Sequence, residues 1–150
     1  MQSTFVKDDH RWLARCAELS INSDDPDTQL GCVTVNKIGE VCSEAWNSLA
    51  RGVRSDSGRL QRPAKYFWLE HAERNAVYHA AREGTALNGC TLYVQVMPCA
   101  DCARAIIQGG IAEVVVSNDV MDAYEGERYR EHHAIAAVML AEAGVEVRRA

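Results

Sequence analysis

The sequence predicts a single α/β domain over residues 1–150, layered α/β/α around a five-stranded mixed sheet whose last two strands run parallel. Two observations carry this expectation. In the C-terminal half, short β-branched runs alternate with helical stretches closed by glycine, and strand–helix–strand crossovers join parallel neighbours. The N-terminal half instead holds two apolar runs joined by Asn36-Lys37-Ile38-Gly39, the mark of an antiparallel hairpin. A chain of 150 residues is long enough to bury one core between the two kinds of pairing.

Taken in order, Asp8 or Asp9 caps a first helix with Leu13, Cys16, Ala17 and Ser20-Ile21 on one face, and that helix ends before Asp25-Pro26. Strands follow over 31–35 and 41–46. The stretch 48–65 has no period and places Arg51, Arg54, Arg59, Arg62 and Lys65 against one acid, Asp56. A loop of that length is uncommon without a role, so a solvated surface and a site for an anionic substrate or a subunit stand as equal readings. Tyr66-Phe67-Trp68-Leu69 is expected to pack beneath whatever site follows, with a pocket wall as the alternative. A helix then runs from His71 toward Gly84, a strand over 91–96, a helix from Cys99 to Gly109-Gly110 with Pro98 at its first position, and a strand over 113–117. A polar connection over 118–126, a helix over 127–143 closed by Gly144, and a strand over 145–147 complete the chain.

Composition narrows the function classes. With 47% hydrophobic and 25% charged residues the chain reads as globular, and no apolar run approaches the ~20 residues that cross a bilayer. Residues 1–9 lack the basic start and apolar stretch of a signal peptide, so a cytoplasmic location is expected. A net charge of −5 argues against a polynucleotide as main partner but is compatible with a small phosphorylated one. In a reducing compartment the six cysteines are not a disulfide framework, and Cys16, Cys32, Cys42 and Cys90 fall on or beside apolar elements where packing is their expected role.

The chemistry concentrates in His71-Ala72-Glu73 and Pro98-Cys99-Ala100-Asp101-Cys102, an H-x-E … P-C-x-x-C pattern that is the signature of zinc-dependent nucleobase deaminases. One imidazole and two thiolates suit Zn²⁺, and three protein ligands leave a fourth tetrahedral corner for water. Bound zinc lowers the pKa of water from about 15.7 to roughly 7, and Glu73 is the carboxylate placed to take and return the proton. A Cys-x-x-Cys alone would fit a redox pair or half a zinc finger. Cys90 is the nearest candidate for a closing fourth ligand, but an intervening strand at about 3.3 Å per residue separates its ends by roughly 20 Å.

With these residues assembled, the sequence resembles the cytidine deaminase superfamily, nearest its deoxycytidylate (dCMP) deaminase group. Asp25-Pro26-Asp27-Thr28-Gln29-Leu30-Gly31 is similar to that group's D-P-x-T-x-x-G, His71 to Ala76 to its H-A-E-x-N-A, and Pro98 to Cys102 with Gly109-Gly110-Ile111 to its P-C-x-x-C … G-I. The resemblance implies a cytidine-deaminase-like fold, Zn²⁺ on His71, Cys99 and Cys102, Glu73 as proton carrier, and hydrolysis of dCMP to dUMP and ammonia. An unphosphorylated nucleoside, a free nucleobase or another aminoheterocycle is the alternative substrate. It further implies substrate contacts from the Asn47 side chain to the sugar and from the Ala72 backbone N–H to the ring carbonyl, and a homo-oligomer. Where the group commonly shows Tyr-Asn-Gly, this chain has Trp46-Asn47-Ser48, followed by the arginine-rich stretch.

Overall fold

Along the central strands, side chains point alternately into two apolar layers, and this alternation builds the molecule. The computed structural model describes residues 7–118 and 127–150. Helix α1 (Asp9–Ser20) is followed by β1 (Gly31–Val35), β2 (Val41–Trp46) and the two-residue β3 (Ser48–Leu49). Next come α2 (Lys65–Trp68), β4 (Leu69–Glu70), α3 (Ala72–Glu83) and β5 (Thr91–Val94). Then follow α4 (Ala100–Gln108), β6 (Glu113–Val116), α5 (Glu127–Glu142) and β7 (Glu146–Arg149). The main sheet has the order β2-β1-β5-β6-β7. β1 is antiparallel to β2 and β5, whereas β5, β6 and β7 run parallel.

On one face Cys32, Leu92, Val94, Val114 and Val116 meet Ala76 and Ala80 of α3, Ala103 and Ile106 of α4, and Ala136 and Leu140 of α5. The alanines let three helices lie close to the sheet and to one another, and that closeness fixes where the first turns of α3 and α4 point. On the other face Val33, Val35, Tyr93 and Val115 pack on Trp12, Leu13, Cys16 and Leu19 of α1. Gly31 is required here, because a Cβ would lie 2.0 Å from the Cys16 carbonyl oxygen. The three-layer α/β/α architecture and the parallel last pair expected from sequence are both present.

Several boundaries differ from expectation for local reasons. Asp8 does cap α1, accepting from the Arg11 N–H at 3.1 Å. The buried stripe, however, is centred on Trp12, Leu13, Cys16 and Leu19, which leaves Ala17 in solvent. Ile21, the residue after the last turn, is 83% exposed. β7 begins at Glu146 because Val145 is still used by α5, donating its N–H to the Leu140 carbonyl past Gly144 at φ +76°. The 118–126 connection lies, beyond Asn118, outside the described residues.

The stretch 48–65 holds more order than a bare loop. β3 pairs antiparallel with β4, so Ser48 and Leu49 face Glu70 and Leu69. The Lys65 ammonium is buried, bonded to Asp25 at 2.9 and 3.1 Å and to Asp27 at 3.0 Å. Lys65 therefore belongs to an internal ion cluster and not to a surface patch for anions. Arg62 lies 3.5 Å from Asp27, and the Arg59 guanidinium sits 4.0 Å over the Trp68 ring. The expectation that residues 66–69 pack as a block is corrected too, since Phe67 is 90% exposed and Trp68 carries Arg59 on its face.

Candidate metal centre

Two helix starts converge on one point. His71 is the N-cap of α3 and Cys99 the N-cap of α4, each with extended backbone and neither side chain spent on capping its own helix. Freed from capping, both side chains project beyond the helix ends, and Cys102 joins them from the first turn of α4. Pro98 stands one residue before the cap and not at the first helical position. The Cys99 carbonyl already accepts the first helical bond, from Ala103 N–H at 2.8 Å.

Cys99 Sγ lies 3.6 Å and Cys102 Sγ 3.4 Å from His71 Nδ1, and all three donor atoms lie within 4.8 Å of one another. A tetrahedral ion with Zn–S near 2.3 Å and Zn–N near 2.0–2.1 Å requires N···S edges of about 3.5–3.6 Å. The donor set and its spacing thus fit zinc. Among the described residues no fourth histidine, cysteine or carboxylate completes the cluster. Cys90 sits elsewhere, its Sγ 3.7 Å from that of Cys42.

Without the ion, the members of the cluster are shifted in different directions. The Cys99 thiol is pulled down to about 3, first by the hydrogen bond from Cys102 and further by His71. Cys102 moves up, because it is the partner that keeps the shared proton and because it is buried. Burial alone would lower the His71 pKa, but the bond to Cys99 and the nearby Glu73 charge outweigh it and leave it raised. Positive helix ends add to this preference for thiolate.

Glu73, in the first turn of α3, is 2% exposed, and its Oε2 has no hydrogen-bond partner. Burial raises its pKa, and His71 pulls it down by less. An unpaired buried carboxylate oxygen is costly, and such groups gather where a proton must be held. The adjacent Ala72 is fully buried at the first helical position.

Asn47 follows β2 directly, with its carboxamide engaged. Oδ1 accepts from Leu30 N–H at 2.9 Å, and Nδ2 donates to the Thr28 carbonyl at 2.7 Å. The structure thus gathers His71, Ala72, Glu73, Cys99 and Cys102, while Asn47 is seen organising the 28–30 backbone. Three residues have contacts here to which the sequence reading assigned no role, although Asn75 lies within the matched H-A-E-x-N-A. Asn75 donates to the Trp46 carbonyl at 2.9 Å and to Ser48 Oγ at 3.1 Å, tying α3 to the residues on either side of Asn47. Arg74 turns its guanidinium onto the two sulfurs, and Glu70 holds it there. A charge pair four residues apart, Glu70 and Arg74, was the available signal.

Comparison with known proteins agrees with this geometry. Residues 6–118 match the family model described as the cytidine and deoxycytidylate deaminase zinc-binding region. The chain is 36% identical over 125 residues to a protein of Aliivibrio fischeri named as an uncharacterized deaminase in the luxG 3' region, covering 83% of this chain and 81% of that one. It is 35% identical over 103 residues to the deoxycytidylate deaminase of Homo sapiens, covering 65% of this chain and 57% of that one. The chain thus spans little more than half the length of that relative. The crystal structure of the cyanophage S-TIM5 dCMP deaminase with dCMP and dUMP superposes with a TM-score of 0.74 at 21% identity, over 97% of this chain and 100% of that one. That likeness speaks to the fold.

Proposed function

Because the chain belongs to the cytidine and deoxycytidylate deaminase zinc-binding family, whose chemistry is hydrolytic deamination, we propose that residues 1–150 form one zinc-dependent domain that converts dCMP to dUMP and ammonia. The observation that carries this reading is the orphaned Oε2 of buried Glu73 beside a three-donor cluster with zinc spacing. Relatives named deoxycytidylate deaminases support a cytosine nucleotide as the substrate class.

His71, Cys99 and Cys102 would hold the ion. When bound, zinc supplies a water acidified from about 15.7 to roughly 7. Glu73 is the group that would move protons: Oε2 would carry one proton of the incoming water to the ring nitrogen and the other, from the hydroxyl added to the ring, to the departing amino nitrogen, so that ammonia leaves and the product keeps its oxygen and ring N–H. The Ala72 N–H, at the start of α3, is assigned to the ring carbonyl, and Asn47 to the sugar. Asn47 is suited to a fixed contact because its carboxamide is already anchored to residues 28 and 30.

An unphosphorylated substrate is the second reading, and the placement of the cations favours giving it a test. Lys65 and Arg62 answer Asp25 and Asp27, and Arg59 covers Trp68, so three of the five cations in 51–65 are committed within the chain. Ammonia release from dCMP, deoxycytidine, cytosine and guanine separates the two. The proposal expects the highest kcat/KM with dCMP. Turnover of an unphosphorylated compound with dCMP inert would overturn it.

A further inference from the structure

Of the four cysteines outside the metal cradle, two stand together. The Cys90 S–H donates to Cys42 Sγ across 3.7 Å, and both thiols are free. An irregularity in the sheet builds their meeting. Thr34 pairs with Ser43 but Val35 pairs with Val41, so Cys42 is the extra residue of a bulge in β2, and a bulge re-aims the side chain it carries. On the other flank of β1, Val35 faces Thr91, and Cys90 is the residue just before it. In a regular ladder β2 and β5 stand two strand spacings apart, about 9.5 Å, with β1 between them. The bulge instead turns Cys42 over the end of β1 toward Cys90, on the face that packs against α3 and α4.

We propose that Cys42 and Cys90 form an oxidative modification site, where a hydroperoxide converts the two thiols into a disulfide that a thiol reductant reopens. Cys42 is the half-buried member and acts first, whereas Cys90 is 1% exposed. The Cys42 thiolate, steadied by the Cys90 S–H, attacks one peroxide oxygen and the O–O bond breaks. The leaving oxygen takes the proton that Cys42 gave up, and Cys42 becomes a sulfenic acid. Cys90 sulfur then attacks Cys42 sulfur, its proton joins the departing hydroxyl, and water leaves. Two thiols thus lose two electrons and two protons, and hydrogen peroxide is reduced to two waters. Burial pushes the Cys90 thiol up to about 12, so it keeps its proton until the sulfenic acid forms beside it. The sulfurs must close from 3.7 Å to about 2.05 Å, and the backbone can yield at both positions. β2 is a bulged edge strand, and Cys90 ends a turn in which its N–H bonds the Leu87 carbonyl and Gly89 has φ +78°. Cys16 is bonded to the Tyr93 carbonyl and Cys32 is fully buried, so neither competes.

The test treats the full zinc-loaded chain with a small excess of hydrogen peroxide, alkylates the remaining thiols and maps crosslinked peptides by mass spectrometry, before and after reduction. A Cys42–Cys90 crosslink lighter by two hydrogens and lost on reduction is expected. Mapping assigns each bond, so a Cys99–Cys102 crosslink from an unloaded cradle is counted apart, and no turnover is needed. Cys90→Ala should stop Cys42 at the sulfenic acid, which dimedone traps, while Cys42→Ser should leave Cys90 unmodified at the same dose. The bond ties the edge strand to the centre of the sheet, so oxidised parent protein should melt at a higher temperature than reduced. Complete alkylation of both thiols after peroxide, a Cys42–Cys42 crosslink between molecules, or Cys42 carried to sulfinic acid with Cys90 still free would each overturn the proposal. The parent's own peptide map decides this even if a variant folds poorly.

Discussion

The metal cradle at residues 71–102 and the preceding segment at 48–70 meet at His71, yet they are held by opposite means. Cradle residues are placed by the backbone: two N-caps and one first-turn position, on helices seated through Ala76, Ala103 and Ile106 against the sheet. The 48–70 segment has a two-residue ladder, a four-residue helix and an ion cluster around Lys65, while Phe67 stands in solvent. One region is rigid because hydrophobic packing fixes it, the other because a few charges reach across the chain.

Substitutions can break this contrast, and the largest effect is expected in the cradle. Glu73→Gln should lower kcat by about 10²–10⁴-fold while zinc content stays at the parent level, read by ammonia release and metal analysis on the same sample. Near-normal turnover would remove Glu73 from its assigned role. In the neighbouring segment, Lys65→Met leaves Asp25 buried without its cation and should destabilise the protein by about 3–5 kcal/mol in urea unfolding. A loss below about 1 kcal/mol would mean that packing, not charge, secures residues 48–70.

Acid and base sharpen the contrast further, because the carboxyl of Glu73 in the cradle and that of Asp27, which bonds Lys65 of the 48–70 segment, are shifted in opposite senses. Burial raises the Glu73 pKa, so in the metal-free protein this group is least harmful while protonated and costs stability as pH rises through its folded value. Glu73→Gln should therefore raise the melting temperature of metal-free protein at neutral pH, with the gain fading toward about pH 4. The Lys65 hydrogen bond lowers the Asp27 pKa, so its contribution is present above the ordinary carboxylate range and is lost as pH falls through its folded value. Asp27→Asn should accordingly matter at neutral pH and become silent in acid. Melting curves over this range check both signs. The smallest effect is expected from Phe67→Ser, within about 0.5 kcal/mol by urea unfolding, because the ring is in solvent.

Legibility from sequence followed the same division. Periodicity and glycine stops located α3, α4 and α5, and the H-x-E and P-C-x-x-C spacing pointed to His71, Glu73, Cys99 and Cys102 as one cluster, because helix starts are encoded within a few residues. Lys65 was misread as part of a surface patch since its partners, Asp25 and Asp27, are distant in sequence. Phe67 and Trp68 were expected to pack because aromatic residues usually do, yet α2 is too short to turn both of them inward. Arg74 hid in plain view: a charged residue on a helix is ordinarily solvated, and only the third dimension places it on the sulfurs.

The most direct test of the central claim is zinc K-edge absorption of the purified protein. Ligation by His71, Cys99 and Cys102 with one corner left for water predicts two sulfurs at about 2.3 Å and two nitrogen or oxygen neighbours at about 2.0–2.1 Å, unchanged in Glu73→Gln. A third sulfur in the first shell, or no zinc retained by protein prepared in its presence, would contradict it.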